Sequence, residues 1–465
     1  MHPDFILNKI AGKRVVILGY GREGNSSYHF IRRYFPDMPL TVADKSESLL
    51  SEDLKQDPYL TLVVGNDYDR NLNDYDLILK SPGISFNKLD YFVETERISS
   101  QADLFLQAYH RQTIGITGTK GKSTTASLTF HLLREAQRNV LLAGNIGVPL
   151  FDIIEQMSPQ TLVVAELSAH QLEFIHQSPD YAVLLNIYQE HLDHFNSFNN
   201  YQIAKINIAR FQQERQFFVY NGDDMLIENL IQSYDLNRDR VIFGTEHHTG
   251  IHAVAGEHVI CFYNGNSLLD EYDLTDHTHL PGRHNYFNIM AVVAVVRRFG
   301  LTHEEIIEGL TSFRGLPHRL EFVGRYQEIS FYNDSISTIP EASIAAVKAL
   351  RKVDTLIIGG YDRGIDYSPL IHFLSESSVR NVVFTGPAGR RVLQEWQVTS
   401  LPLPEHYIVE DDFRVIVAFA FEHTRPRKVA LLSPAAASYN QFKNFEERGN
   451  LFKQYIEEYA KNHNL

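Results

Sequence analysis

The stretch Gln112-Thr-Ile-Gly-Ile-Thr-Gly-Thr-Lys-Gly-Lys-Ser-Thr-Thr125 decides how the rest of the chain is read. Gln112–Thr117 is a short, β-rich apolar run, and Gly118–Ser123 is a glycine-rich turn. The residues beyond it keep Leu128, Leu132, Leu133 and Ala136 on one helical face. Strand, glycine turn and helix in that order make an anion cradle. The backbone N–H groups of the turn point at phosphate oxygens, and the helix N-terminus adds favourable partial charge. In such a cradle, built from Gly118, Thr119, Lys120, Gly121 and Thr124, Lys122 would reach the β- and γ-phosphates of a nucleotide. The Ser123 hydroxyl would ligate Mg²⁺. The spacing departs from the usual phosphate loop, because the position five before Gly121 is Ile116 and not glycine. A chance Gly-Lys-Ser turn is the competing reading, and the flanking strand and helix argue against it.

Working outward, the same strand-then-helix alternation recurs. Upstream, Arg14-Val-Val-Ile-Leu18 leads into Gly19-Tyr-Gly21-Arg-Glu-Gly24 and a helix, followed by apolar runs at Leu40–Ala43 and Leu77–Lys80. Downstream, strands are predicted at Leu162–Ala165, Ala182–Leu185, Phe217–Tyr220 and Val241–Phe243. After Phe313–Leu316 come runs at Thr355–Ile358, Asn381–Phe384 and Val429–Leu432. The predicted fold class is α/β, with each of three segments built on a largely parallel sheet. The length of 465 residues agrees with three domains. Ligands of such sheets sit beyond the C-terminal ends of the strands, where both glycine motifs fall. Gly19-x-Gly21-x-x-Gly24, with Asp44 placed to meet a ribose, suits NAD, FAD or the diphosphate of a nucleotide sugar equally. It also suits a structural turn, and the residues leave these open.

Composition narrows the classes. A net charge of −14 offers no cationic sheath for a phosphate backbone, so no nucleic-acid partner is expected. The longest apolar stretch, near Ile289–Val296, is too short to span a bilayer, so no membrane partner is expected. Met1–Ile10 lacks the charged-then-apolar pattern of a signal peptide, and a single cysteine, Cys261, suits a reducing compartment. A cytoplasmic monomer is the expectation.

Several polar residues stand where chemistry is plausible. Glu166 ends a buried-looking strand, where a carboxylate is costly unless paired or metal-bound. His191, in Asn186-Ile-Tyr-Gln-Glu-His191-Leu-Asp193, also follows a strand, but a histidine on Mg²⁺ is unusual, and on the residues alone a hydrogen-bonded loop histidine is the better reading. Lys205 lies in a helical-looking stretch, Tyr201–Arg210, where a solvated surface lysine is the default. Arg283-His-Asn285 and His318-Arg319 are structural or functional with equal ease, and Asn333-Asp334-Ser335 reads as a turn or a helix cap.

Taken in order, these stretches resemble the Mur ligase family. The likeness is carried by Gly115–Thr125, Gly144-Asn-Ile-Gly-Val-Pro149, Glu166-Leu-Ser-Ala-His-Gln-Leu-Glu173 and His191-Leu-Asp193. It continues in Leu280-Pro-Gly-Arg-His-Asn285, Gly315-Leu-Pro-His-Arg319, Leu432-Ser-Pro-Ala-Ala-Ala-Ser438 and Gln441-Phe-Lys-Asn-Phe-Glu446. It spans about Arg14 to Gly449, and the Glu166 and C-terminal patterns resemble the branch that adds D-glutamate.

The resemblance implies a UDP-substrate-binding Rossmann-like domain over 1–110, a central ATP-binding domain over 111–314, and a C-terminal Rossmann-like domain over 315–465 that binds D-glutamate and part of ATP. It implies an ATP-dependent ligase acting on UDP-N-acetylmuramoyl-L-alanine, with two Mg²⁺ ions. By motif match, Arg22, Glu23, Asp44, Lys45, Ser81 and Asn145 would contact the UDP substrate, with Ser168 and Gln171 beside them. Lys122, Asn285, Asn288, Arg319 and Asp334 would serve ATP. Ser123, Glu166, His191 and a carbamylated Lys205 would hold the metal, and Lys122, Glu166, His191 and Lys205 would form the catalytic set. Thr338, Arg363, Ser438, Tyr439 and Phe445 match the D-glutamate pocket. Three positions depart from the family: Lys120 where Asn is common, Ile336 where many members have Lys, and Arg363 where some have Lys. The alternatives are a ligase of the same superfamily adding another amino acid, or an NAD-binding oxidoreductase. The latter leaves the phosphate loop unexplained.

Overall fold

The computed structural model describes residues 3–46, 52–89, 91–236, 239–275, 277–280, 282–439, 441–463 and 465. Of the motif residues above, Pro281 lies outside that set. Three sheets carry the fold. The first contains β1 (Val15–Leu18), β2 (Leu40–Asp44), β3 (Leu60–Val64), β4 (Leu77–Lys80) and β5 (Ile98–Ser99) in the order β3-β2-β1-β4-β5. All its neighbours are parallel.

The second sheet is built from β6 (Thr113–Thr117), β7 (Val140–Gly144), β8 (Leu162–Glu166), β9 (Tyr181–Leu184), β10 (Phe217–Asn221) and β11 (Asp239–Gly244). A third group of strands, β12 (Ile251–Ala255), β13 (Val259–Asn264) and β14 (Ser267–Asp273), extends it to the order β14-β13-β12-β11-β10-β9-β6-β8-β7. The last sheet holds β15 (Glu321–Tyr326), β16 (Ile329–Asn333), β17 (Val353–Gly359), β18 (Asn381–Thr385), β19 (His406–Val409) and β20 (Val429–Leu432), ordered β15-β16-β20-β17-β18-β19.

The central strands are parallel, and they were legible because a strand covered on both faces reads as an unbroken apolar run. β1, β4, β6 and β17 are buried at every position. The antiparallel additions are what the periodicity did not reveal. β12 to β14 turn back on one another at the rim of the second sheet, and β15 pairs antiparallel with β16. β14 has only Tyr272 buried, so its pattern is that of an exposed edge. The helix Lys122–Glu135 buries Leu128, Leu132 and Leu133, while Ala136 caps its C-terminus and is half-buried. The apolar run Ile289–Val296 sits inside the helix His284–Arg298 and is buried throughout, which accounts for its hydrophobicity without a bilayer. Among the described residues no helix is long and apolar enough to cross a membrane.

The chain forms two compact units. One takes the described residues of Met1–His277 with Tyr286–Leu310, the other Thr278–Asn285 with Thr311–Leu465. The first unit contains two sheets because one apolar core serves both: it runs from Ile17, Phe30 and Phe105 through Phe151 to Leu184 and Tyr220. The second unit has a core on each face of its sheet, around Trp396 on one side and Phe421 and Phe452 on the other.

In that second unit a cation is wholly enclosed. Arg448, 1% exposed in the helix Phe445–Asn462, donates to Ser335 Oγ (2.9 Å), the Ser335 carbonyl (2.8 Å) and the Ala436 carbonyl (3.1 Å). Burial pulls its pKa down to about 10, so it remains charged at neutral pH. The guanidinium therefore clasps the turn after β16 to the turn after β20. Arg448→Met should leave those acceptors buried and unmatched and destabilise the fold by about 2–4 kcal/mol, read by urea unfolding. Arg448→Lys should recover only a minor part, because an ammonium lacks the planar fork.

Candidate active site

β6 ends at Thr117 and the helix begins at Lys122, so Gly118–Gly121 must turn within four residues. Gly118 (φ +155°) and Gly121 (φ +88°) provide conformations that other residues resist. A Cβ on Gly121 would lie 2.4 Å from Asn288 Oδ1, so the carboxamide of Asn288 packs directly on the loop. The loop is braced by the segment after β9. Thr119 N donates to the Asn186 carbonyl (3.0 Å), Lys120 N to Asn186 Oδ1 (2.8 Å), and Tyr188 N to Thr119 Oγ1 (2.9 Å). Thr119 Oγ1 also meets Tyr201 OH at 2.9 Å. Asn186, Tyr188 and Tyr201 are thus site residues with no local signature in sequence. Lys122 Nζ donates to the Thr119 carbonyl (3.0 Å), folded over its own loop. Lys120 reaches away and pairs with Glu190 (2.5 Å).

Lys205 is not the solvated surface residue that its helical stretch suggests. It is 1% exposed, and its Nζ donates to the Gly118 carbonyl (2.7 Å) and Thr117 Oγ1 (3.1 Å), directly beneath the phosphate loop. A helical pattern shows which residues share a face, not what another loop lays over that face. Burial, and then the charge of Lys122, pull its pKa well below the usual lysine range, while Glu166 and Glu190 act the other way.

Glu166 ends β8, in register with Ile116 of β6, so it flanks the loop from the neighbouring strand end. It is 1% exposed; Oε1 accepts from Asn145 Nδ2 (2.7 Å), and Oε2 is buried with no hydrogen-bond partner among the described residues. An unmatched buried carboxylate oxygen is the feature expected where a cation belongs. His191 caps the short helix Leu192–Phe195 with a left-handed backbone (φ +56°), its ring 4.8 Å from that of His170. Among the described residues no three His, Cys, Asp or Glu side chains gather to hold a metal by themselves. Ser123 and Glu166 offer the oxygen donors that Mg²⁺ prefers, with phosphate oxygens to complete the shell, whereas the His191 imidazole is an unusual donor for that ion.

The first sheet carries a second site at its own strand ends. A cavity of about 330 Å³ is walled by Arg22, Glu23, Asp44, Ser81 and Asn145, with Gly19, Gly21 and Pro82–Ile84. Five of the six residues matched to the UDP substrate therefore converge; Lys45, exposed after β2, is not part of the wall. Gly24 is required, since a Cβ there would sit 2.1 Å from the Gly19 carbonyl oxygen. Asp44 accepts from Tyr20 N (2.6 Å) and Ser46 N (2.7 Å), and so shapes the turn as well as lining it. Arg22 donates to the Asn145 carbonyl at 2.9 Å, joining this turn to the loop after β7.

Ser168 and Gln171 form a capping box on the helix Ala169–Leu172. Gln171 Nε2 then donates to Glu23 Oε1 at 2.6 Å. Burial pushes the Glu23 carboxyl up to about 6, against the Gln171 hydrogen bond and the charges of Arg22 and Lys80.

In the second unit, Asn333-Asp334-Ser335 is a turn and not a helix cap, since no helix begins before Pro340. Asp334 is buried and accepts from Ser337 Oγ (2.6 Å), Ser433 Oγ (2.7 Å) and Leu320 N (3.1 Å). Burial raises its pKa, with those hydrogen bonds opposing. Arg363 Nη2 donates to the Thr338 carbonyl (2.7 Å), which brings two residues of the matched amino-acid pocket together. The Phe445 carbonyl accepts from Ser335 Oγ (2.8 Å), Ser438 is buried, and Tyr439 and Arg319 are exposed. Asn285 is buried at the start of the helix His284–Arg298.

Comparison with known proteins places this arrangement. The Mur ligase middle domain matches residues 116–296. The chain is 33% identical to the UDP-N-acetylmuramoylalanine–D-glutamate ligase of Desulfitobacterium hafniense over 458 residues, 96% of this chain and 97% of that one. It is 32% identical to the enzyme of the same name from Geobacillus kaustophilus over 450 residues, 95% of this chain and 96% of that one. Among solved structures, the UDP-N-acetylmuramate–alanine ligase of Thermotoga maritima shares the fold, with a TM-score of 0.54 at 19% identity, covering 97% of this chain and all of that one. Matched along nearly its whole length to relatives of one kind, the chain belongs to the Mur ligase family, in the branch of the UDP-N-acetylmuramoylalanine–D-glutamate ligases.

Proposed function

We propose that this ATP-dependent ligase joins D-glutamate to UDP-N-acetylmuramoyl-L-alanine. One observation carries the reading: the cavity suited to a diphosphate and the loop suited to a nucleotide open at strand ends of two sheets sharing one core, with Arg22 bonded to the loop after β7. In this reading residues 1–110 hold the UDP acceptor, 111–314 hold ATP with Asn285 and Asn288 among its contacts, and 315–465 bring Thr338, Arg363, Ser438, Tyr439 and Phe445 to D-glutamate and Arg319 and Asp334 to ATP.

An unactivated carboxylate does not acylate an amine. The alanine carboxylate therefore takes the γ-phosphoryl group of ATP, releasing ADP, to become an acyl phosphate, and the neutral D-glutamate amine attacks its carbonyl carbon to form the amide with loss of phosphate and a proton. Lys122 neutralises and orients the phosphates, and the turn Gly118–Gly121, whose Thr119 and Lys120 N–H groups are taken up by Asn186, sets the shape of the loop that carries it. Two Mg²⁺ ions, held by Ser123, Glu166, His191 and Lys205 as a carbamate, would supply further charge neutralisation.

The downward shift at Lys205 raises the share of the neutral amine, the form that reacts with CO₂, and the resulting carbamate is an anionic oxygen donor of the kind Mg²⁺ prefers.

Phosphate release by the purified protein should require ATP, UDP-N-acetylmuramoyl-L-alanine and D-glutamate together. Release supported by L-alanine or a diamino acid in place of D-glutamate would favour another ligase of the superfamily, and tight NAD binding in calorimetry would favour the oxidoreductase reading. Lys205→Ala should lose at least about a hundredfold in rate, the scale of electrostatic positioning groups, and formate or acetate should restore part of it. A fully active alanine variant would remove the carbamate from the scheme.

Glu23 gives a pH signature. Its folded-state pKa lies above its ordinary value of 4.5, so the folded protein keeps this proton up to about pH 6, and the group withdraws stability as pH rises through that window. A diphosphate placed beside it favours the protonated form further. UDP affinity, measured by calorimetry, should therefore fall as pH rises from about 6 to about 8, by up to about tenfold per pH unit. Glu23→Gln should flatten that dependence.

A further inference from the structure

Outside the residues matched above, the first unit buries a further cation. Lys80, the last residue of β4, has a side chain 2% exposed, with Nζ 3.0 Å from Glu173 Oε2. Its ammonium lies 5.5 Å from the ring centre of Phe174 and 6.0 Å from that of Phe86. The same oxygen, Glu173 Oε2, lies 3.1 Å from His194 Nε2, on a side chain 8% exposed. His194 is gripped again through its backbone, where its carbonyl accepts from Ser85 Oγ (3.0 Å) and from Asn87 Nδ2. Its own N–H and that of Phe195 donate to the His191 carbonyl, each at 3.1 Å.

Three segments therefore meet at one carboxylate. The loop after β4 walls the 330 Å³ cavity through Ser81–Ile84 and holds His194 through Ser85 and Asn87. The residues after the helix Ala169–Leu172 contribute Glu173, and the turn His191–Asn196 is bounded by two left-handed residues, His191 (φ +56°), matched above to the metal site, and Asn196 (φ +62°). A buried ion pair is a weak net stabiliser compared with apolar packing of the same volume. What it does impose is geometry, because neither charge tolerates losing its partner. Lys80 is enclosed and stands behind the cavity wall while Ser81 is part of it, so it is not placed to touch the acceptor.

We propose that Lys80 and Glu173 are positioning residues for phosphoryl transfer, locking the His191 turn to the wall of the acceptor cavity through His194. The inference rests on the reading of that cavity as the acceptor site. It implies that turnover, more than acceptor affinity, depends on the pair.

The test uses the full chain with Lys80→Met, Glu173→Gln and the double variant Lys80→Met/Glu173→Leu. Thermal unfolding, UDP affinity by calorimetry, and kcat and KM for the acceptor are measured on each. The single variants should lose stability by leaving a buried charge unmatched. The double variant should regain most of it while kcat per folded molecule stays at least about tenfold down and the Kd for UDP moves less than about threefold. A double variant with wild-type kcat would show that the pair only joins the two sheets, and a loss confined to UDP affinity would show direct acceptor contact; either overturns the proposal. Wild-type protein that neither binds UDP nor turns over the acceptor would instead overturn the reading of the cavity, and the inference with it.

Discussion

A charge removed from water has to be met by whatever lies beside it, and in this protein the partner comes each time from another segment of the chain. Glu166 is met by Asn145, Lys205 by the Gly118 carbonyl and Thr117, Lys80 by Glu173, and Arg448 by the carbonyls after β16 and β20. Leaving any of these unmatched would cost several kcal/mol, comparable with the whole margin of stability of a domain. The loops around the candidate site are consequently not independent: the shape of each is a condition for burying the charge of the next.

That dependence extends to the phosphate loop. Gly118 and Gly121 allow the turn, but the Asn186–Tyr188 segment and Lys205 hold it. Two of the loop's N–H groups, on Thr119 and Lys120, already donate to Asn186. Bracing of this kind lowers the reorganisation needed when a nucleotide arrives, which is where positioning contributes to phosphoryl transfer. Glu166 Oε2 stands as the counterpart, a buried acceptor left open beside the loop.

The two sheets of the first unit are joined by a shared apolar core and by a few polar links at their strand ends. Arg22 to the Asn145 carbonyl, Gln171 to Glu23, and Lys80 to Glu173 all cross from one sheet's loops to the other's. Hydrophobic burial supplies most of the cohesion but is indifferent to small rotations. Directional bonds to buried groups are not, so the polar links determine how the cavity walls stand.

The sequence alone determined those features whose cause is local. Buried parallel strands are continuous apolar runs, so β1, β4, β6 and β17 were legible, and with them the α/β class. The glycine turns were legible because a left-handed backbone or a missing Cβ is a requirement a residue meets by itself, as Gly24 and Gly121 do. Tertiary structure decided the rest. The helical pattern of Tyr201–Arg210 is the same whether Lys205 faces water or the underside of the phosphate loop. Lys80 and Glu173 are distant along the chain and carry no mutual signal. The edge strand β14 has only Tyr272 buried, a pattern that periodicity does not separate from a loop. The physical reason is the same in each case: backbone conformation and propensity belong to a residue and its neighbours in sequence, whereas desolvation belongs to whatever the fold packs over it.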